Sequence, residues 1–524
     1  MNEDLETRQI LLGNEAIALG LLESACTVAT SYPGTPASEI LSTLARLKDR
    51  DKLPIHLEWS INEKVAFEVA LTNSFVGRRS AAIMKQVGLN VAADPLMSAA
   101  YTGVKGGFVL IVADDPGPHS SQTEQDSRMY AMMAKIPVLD PSSPEHARDL
   151  VCEAFRLSER YEIPVMLRST TRVCHARQDL ELRPFTADPR PPEFDKNPTR
   201  WAATPKFRLS LHHQLNGKIA TIGSEPSWLP RLINEKLLRD TADHAGADLE
   251  APASAGVRRH PSDAPGEQVA IVASGVALAH AQEVLGDLGL LDAIPLYAVP
   301  MPHPLPPAFS QDILSRYERI LVLEETDPVM ELQLQSREKV SGRFNGTVPS
   351  AGELLPEGVE RILRGFLGLP ASPEIVGPGG GGRRPTLCAG CPHRAAFFAI
   401  KKAFPKGIYP GDIGCYTLGL NLGAVDTVLC MGAAISQASG FYHAFKAVRE
   451  DFPPICATIG DSTFYHAGIP PLINAVVQGA RFVLVILDNS TTAMTGHQPT
   501  PAAGRTLDGS TVRSEEHTSE LQSH

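Results

Sequence analysis

Cysteine is scarce in this chain, 8 among 524 residues, and only Cys388 and Cys391 stand in a CxxC spacing. That excludes a disulfide-built scaffold and leaves reduced thiols, a few of them suited to a metal. Positive charge is also short: 48 Lys and Arg against 59 Asp and Glu give a net charge of −11. No global cationic field exists for a phosphate backbone or anionic lipid, so neither nucleic acid nor a membrane is expected as a partner. No apolar run reaches the roughly 18 residues that span a bilayer, and the start MNEDLETR lacks the basic-then-apolar order of a signal peptide, so a cytoplasmic protein is expected. What is present is ordinary for folded chains, 43% hydrophobic and 20% charged. At roughly 100 to 200 residues per domain, about three domains are expected.

The pattern predicts a multidomain α/β protein with parallel sheets flanked by helices. In the first block, strands are predicted at 27–30, 80–84, 108–113 and 164–167, with helices at 63–75 and 144–159 between them. Proline and charge crowd 183–205, and Ala, Gly, Asp and Pro crowd 241–266, which reads as linkers around a small segment. A second block runs from a strand at 269–275 through a helix at 279–288 to a strand at 320–325. The glycine run 379–382 reads as a connector. The third block has strands at 455–459 and 482–487 around a helix at 469–477, after which the alternation stops. The expected division is 1–195, 196–267, 268–370, 371–385 and 386–512, with the third domain ending short. The tail 513–524, RSEEHTSELQSH, resembles translated adapter sequence and is set aside as one sets aside a fusion scar.

The strongest chemical signal is IGDSTFYHAGIPPLINAVVQGARFVLVILDNSTTAMTG. One strand ends at Gly460-Asp461-Ser462, a helix follows, and the next strand ends near Asn489, so two strand ends converge on one crevice. Asp461 offers an anionic oxygen and Asn489 a neutral one, the hard oxygens that a magnesium ion bridging a diphosphate takes. Gly460 lets the backbone come close, and the amino-terminal N–H groups of the helix after Ser462 favour phosphate. The alternative is a βαβ unit with an acidic turn and a capping Asn.

This motif, with SYPGTPASEI, EWSINEKVAFEVA, KQVGLN, CAGCPHR and GDIGCYTLG, resembles the alpha subunits of indolepyruvate ferredoxin oxidoreductases, a thiamine diphosphate-dependent family, over most of residues 10–501. The resemblance implies a pyrimidine-binding domain, a transketolase C-terminal-like domain and a diphosphate-binding domain, in that order. It implies cofactor contacts from Glu63, Gly460, Asp461, Ser462, Asn489 and Thr491, with Asp461, Asn489 and Thr491 as magnesium ligands. Glu63 is the implied catalytic glutamate, since a carboxylate against the pyrimidine N1′ favours the tautomer that activates the thiazolium; a helix-capping role is the alternative. Thr35, in the turn after the first strand, is implied to contact the 2-oxo acid, and as a residue alone it is a turn former. The loop 85–90 would line the same pocket.

Cys388, Cys391 and Cys415 are soft ligands suited to an iron–sulfur cluster of the [4Fe-4S] type, but are one short of the usual four. Cys430 and Cys456 read as buried apolar positions, and His393 as a capping or hydrogen-bonding residue. Free or redox-active thiols, or a structural metal, are the alternatives. Full-length members resemble this chain plus a C-terminal ferredoxin-like domain carrying further clusters. The implied activity is oxidative decarboxylation of an aryl 2-oxo acid, with coenzyme A taking the acyl group, ferredoxin taking the electrons, and a smaller beta subunit and oligomerisation completing the enzyme. A non-oxidative decarboxylase and a non-catalytic assembly subunit are the rival readings.

Overall fold

The structure, a computed structural model, describes residues 8–185, 187–202, 204–233, 269–371, 385–448, 451–507 and 509–510. The segments read as a linker at 241–266, a glycine connector at 379–382 and an adapter tail at 513–524 lie outside the described residues. The chain divides into two compact units, Met1–Leu57 with Glu63–Glu374, and Glu58–Asn62 with Ile375–His524. Among the described residues no helix is long and apolar enough to cross a membrane.

The first unit opens with β1 (Arg8–Leu12), β2 (Val28–Ser31), β3 (His56–Trp59), β4 (Ser80–Lys85), β5 (Phe108–Asp114), β6 (Val138–Leu139), β7 (Val165–Thr170) and β8 (Arg177–Glu181). Six of them form one sheet in the order β3-β2-β4-β5-β7-β6, while β1 and β8 pair apart from it. The β2–β4, β4–β5, β5–β7 and β7–β6 pairings are all parallel. Every residue of SAAIMK and FVLIVAD in β4 and β5 is buried, as central strands covered on both faces must be. The helix Pro144–Tyr161 shows how a crossover forms here. Ser143 Oγ accepts the His146 N–H, a proline opens the first turn, and Ala147, Leu150, Val151, Ala154 and Phe155 make one apolar stripe. Helix Glu63–Phe75 has the expected bounds. The proline-rich stretch at 183–205 is not all loop, because Pro198–Trp201 is helical. Helix Pro205–Ile222 packs back on helix Ala93–Thr102, where Tyr101 Oη lies 2.9 Å from His212 Nδ1.

A second sheet of the same unit follows from β9 (Arg231–Leu232), β10 (Val269–Ala273), β11 (Leu296–Ala298), β12 (Arg319–Leu323) and β13 (Val340–Ser341), in the order β13-β12-β10-β11-β9. Buried charges join its loops to the first sheet. Arg168 Nε meets Asp114 Oδ2 at 2.8 Å and Nη1 meets Asp140 Oδ1 at 3.3 Å. Arg128 meets Asp126 Oδ2 at 2.6 Å and Glu324 Oε2 at 3.0 Å. Asp126 Oδ2 also accepts the Thr326 and Asp327 N–H groups at 2.7 and 2.8 Å.

In the second unit, β14 (Cys456–Gly460) and β15 (Val483–Leu487) pair in parallel with Gly460 opposite Leu487. The backbone leaves β14 into a helical run, Asp461–Thr463, a π turn at Phe464–Gly468, and Ile469–Val477. The π turn has a chemical cause: Pro470 and Pro471 have no N–H to offer the His466 and Ala467 carbonyls one turn back. A small antiparallel ribbon, β16 (Thr491–Thr492) with β17 (Gln498–Pro499), closes the described part.

Candidate active site

At the carboxyl ends of β2, β4 and β5 three loops gather. Glu63 is buried at the start of its helix, and it lies against Gly88 of helix Gln86–Val91 so closely that a Cβ there would stand 2.4 Å from Glu63 Oε1. Only glycine at 88 leaves the carboxylate its place. In the same stretch Lys85 is buried and its Nζ donates to Ser120 O at 2.8 Å. Ser120 Oγ lies 3.4 Å from Thr35 O, its acceptor, which puts the Thr35 turn on this edge. Gln86 Nε2 donates to Ser121 Oγ at 2.8 Å. Asp115 holds the last loop by accepting from Ser120 N at 2.8 Å, Ser121 Oγ at 2.7 Å and Thr171 Oγ1 at 2.7 Å. Burial pushes the Lys85 ammonium down to about 8, with Asp115 opposing.

The second unit brings its two predicted oxygen donors to adjacent strand ends. Asp461 is buried; its Oδ2 accepts from Thr500 Oγ1 at 2.9 Å, and its carboxylate also accepts the Ser462 and Asn489 backbone N–H groups. Burial pushes its pKa up against those bonds. Asn489 Oδ1 accepts the Thr491 N–H at 3.2 Å, and Thr491 Oγ1 donates to Gln498 O at 3.1 Å, so the ribbon β16–β17 carries Thr500 back to Asp461. Ser462 Oγ lies 2.9 Å from Thr492 Oγ1. A Cβ at residue 460 would meet Tyr416 Cε1 at 2.3 Å, so Gly460 is required by packing against that ring as well. Tyr416 Oη lies 2.5 Å from both Ile413 O and Thr463 Oγ1. His393 is buried edge-on to Tyr416, its Nδ1 has no hydrogen-bond partner, and burial holds its pKa down although Asp461 acts the other way. Asp412 caps the helix Ala433–Lys446, accepting from Gly432 N at 2.9 Å and Ala434 N at 3.1 Å. Thr500 has no local sequence signal as a site residue, while Asp412 and Tyr416 lie in GDIGCYTLG, where only Cys415 is expected to serve the site.

The thiols fare differently. Burial raises the Cys415 pKa, and Cys391 and Cys388 add to that rise, so the three interact. Among the described residues, however, no three His, Cys, Asp or Glu side chains are gathered as metal ligands. Cys388 is exposed, and Cys430 is exposed rather than buried as its apolar context suggested; Cys456 is buried as expected. VLCMG around Cys430 lies just outside a helix instead of within one.

Residues 20–222 match the family described as "Pyruvate flavodoxin/ferredoxin oxidoreductase, thiamine diP-bdg". Residues 412–519 match "Thiamine pyrophosphate enzyme, C-terminal TPP binding domain". The indolepyruvate oxidoreductase subunit IorA of Archaeoglobus fulgidus is 41% identical over 94% of this chain and 77% of its own length. That of Methanothermobacter thermautotrophicus is 40% identical over 95% and 77%, and that of Pyrococcus abyssi 39% over 96% and 78%. The chain belongs to the IorA family of oxidoreductase subunits. A solved 2-oxoglutarate:ferredoxin oxidoreductase from Magnetococcus marinus aligns with a TM-score of 0.49 at 14% identity, covering 70% of this chain and 66% of that one. As an IorA-family chain, this is an oxidoreductase subunit that carries thiamine diphosphate-binding domains, and the Asp461 motif lies within the C-terminal one.

Proposed function

We propose that this chain is the coenzyme-bearing subunit of an enzyme that oxidatively decarboxylates aryl 2-oxo acids such as indolepyruvate, passing the acyl group to coenzyme A and the electrons to ferredoxin, together with a smaller beta subunit. The observation that carries the reading is the convergence of Asp461, Asn489 and Thr491 at two adjacent strand ends, with Thr500 and two backbone N–H groups orienting the Asp461 carboxylate. A buried carboxylate and a neutral amide from adjacent strand ends are the hard donors of a magnesium–diphosphate site, so thiamine diphosphate and Mg2+ fit these residues. When bound, the coenzyme would supply a nucleophilic carbon and an electron sink for decarboxylation.

The chain's own groups have definite tasks in this reading. Glu63 holds a proton at the pyrimidine N1′, and Gly88 keeps its carboxylate in place. Asp461, Asn489 and Thr491 would offer oxygens to the metal, and Gly460 and Ser462 would hold the diphosphate. Thr35 and the loop after β4 meet the 2-oxo acid. Three thiolates that the described structure does not gather do not make a complete [4Fe-4S] site, so no electron step is assigned to Cys388, Cys391 or Cys415.

The test is product analysis with the chain and its smaller partner subunit, supplied with indolepyruvate, coenzyme A and oxidised ferredoxin. The acyl-coenzyme A ester and reduced ferredoxin are expected in step. Release of the aldehyde with ferredoxin left oxidised would replace this reading with a non-oxidative decarboxylase.

A further inference from the structure

Lys85 is a buried cation with no direct ion pair among the described residues, its one opposing charge, Asp115, acting through space. It ends β4, a strand buried along its whole length, and is itself 9% exposed. Among the described residues it forms no ion pair, and its only hydrogen-bond partner is Ser120, at 2.8 Å to the carbonyl and 3.5 Å to the hydroxyl. Asp115 spends its hydrogen bonds on the neutral donors of Ser120, Ser121 and Thr171 and accepts none from Lys85, so it steadies the ammonium's charge without filling its donors. An ammonium has three donors, and with Ser120 its hydrogen-bond partner the buried Lys85 keeps donor capacity that a ligand's oxygens can take up. The surroundings say where that would be. A Cβ on Gly34 would lie 3.0 Å from Lys85 Cβ, so the lysine stem runs along the Thr35 turn, and three residues further on Gly88 receives Glu63. Gln86 Oε1, next in the chain, is buried with no partner. The edge therefore holds unspent donors and acceptors at the carboxyl ends of parallel strands, where such sheets bind ligands.

We propose that Lys85 Nζ binds the carboxylate of the 2-oxo acid, the charge that separates the acid from its neutral analogues, at the edge that also carries Thr35 and Glu63. This rests on the reading that the enzyme acts on 2-oxo acids. Lys85 is thus a binding residue that selects acid over ester or aldehyde, and the side chain beyond the carboxylate is left to other walls of the pocket.

The experiment uses the chain with its smaller subunit and thiamine diphosphate, with phenylpyruvate and its methyl ester as probes in equilibrium binding and in steady-state kinetics. In the wild type the acid should bind at least tenfold more tightly than the ester. In Lys85→Met the acid should lose that advantage and its KM should rise tenfold or more, with kcat changed less than about fivefold, the pattern of lost ground-state binding. Lys85→Gln keeps a hydrogen bond to Ser120 without the charge; folded, it must lose the acid-over-ester preference too, whereas Lys85→Arg should keep it. If the wild type oxidises phenylpyruvate and both neutral variants still prefer the acid, the Lys85 assignment is wrong while the enzyme reading stands. If the wild type neither binds nor oxidises any 2-oxo acid, the enzyme reading falls and the assignment with it.

Discussion

Two buried charged regions of the first unit differ in how their charges are matched. Between the two sheets Arg128 and Arg168 each meet carboxylates through their forks, and Asp126 is held well below the usual carboxylate range because Arg128 and Arg168 outweigh its burial. At the carboxyl edge of the first sheet, Lys85 has a carbonyl and a hydroxyl for company. Guanidiniums ion-paired to buried carboxylates fix the loops of one sheet on the other. A lone ammonium on a loop edge is a poor structural device and a good receptor. Direct ion pairs in this unit belong to its architecture, and the proposed ligand site lies where a buried ammonium has none.

The sharpest way to break the ion-paired region is Arg168→Met, which strands Asp114 without its cation and leaves Asp140 only Arg128, at 3.8 Å. A loss of about 3 to 5 kcal/mol in unfolding free energy is expected by chemical denaturation. Five carboxyls (Asp114, Asp126, Asp140, Glu324, Glu325) share this layer with three arginines (Arg128, Arg168, Arg343), all buried. The excess is relieved by protonation: burial pushes Glu325 up from 4.5 to about 7 and Asp114 to about 6. Because the folded state holds the Glu325 proton more firmly than the unfolded state does, stability is full below about pH 4.5 and declines as pH rises through about 7. Glu325→Gln should remove that decline and be more stable than wild type at pH 8 by on the order of 3 kcal/mol, with no difference near pH 4.5. Equal pH profiles in thermal denaturation would show Glu325 already ionised and paired.

At the unmatched edge the effect should fall on activity. Gly88→Ala drives a methyl into the Glu63 carboxylate, and a displacement of that kind should cut turnover about 100-fold while leaving the denaturation midpoint within a few degrees. The mildest change lies in the second unit, where Thr500→Val removes one hydrogen bond to Asp461. Affinity for thiamine diphosphate with magnesium should fall about tenfold, measured by calorimetry.

Local chemistry made part of this legible. The strands now numbered β4 and β5 read correctly because apolar residues run unbroken through them, and helices 63–75 and 469–477 were predicted with the bounds they have. The position of Asp461 and Asn489 at adjacent strand ends is legible because a strand–helix–strand unit fixes where both ends emerge. The partners that tune them are not. Thr500 comes back to Asp461 only by way of a two-residue ribbon, and Arg128 finds Glu324 across 196 positions of chain. The loop 85–90 reads from sequence as a pocket wall, but that Lys85 bonds Ser120 and forms no direct ion pair is visible only in the fold. The exposed Cys430 shows the limit of judging burial from apolar neighbours in the chain.

The central claim is that Asp461 anchors a magnesium-held thiamine diphosphate on this chain. Calorimetric titration of the full chain with thiamine diphosphate, with and without magnesium, tests it directly, using wild type and Asp461→Ala proteins matched by far-ultraviolet circular dichroism. Saturable, magnesium-dependent binding by the wild type and its loss in Asp461→Ala are predicted; equal binding by both proteins, or binding indifferent to magnesium, would contradict it.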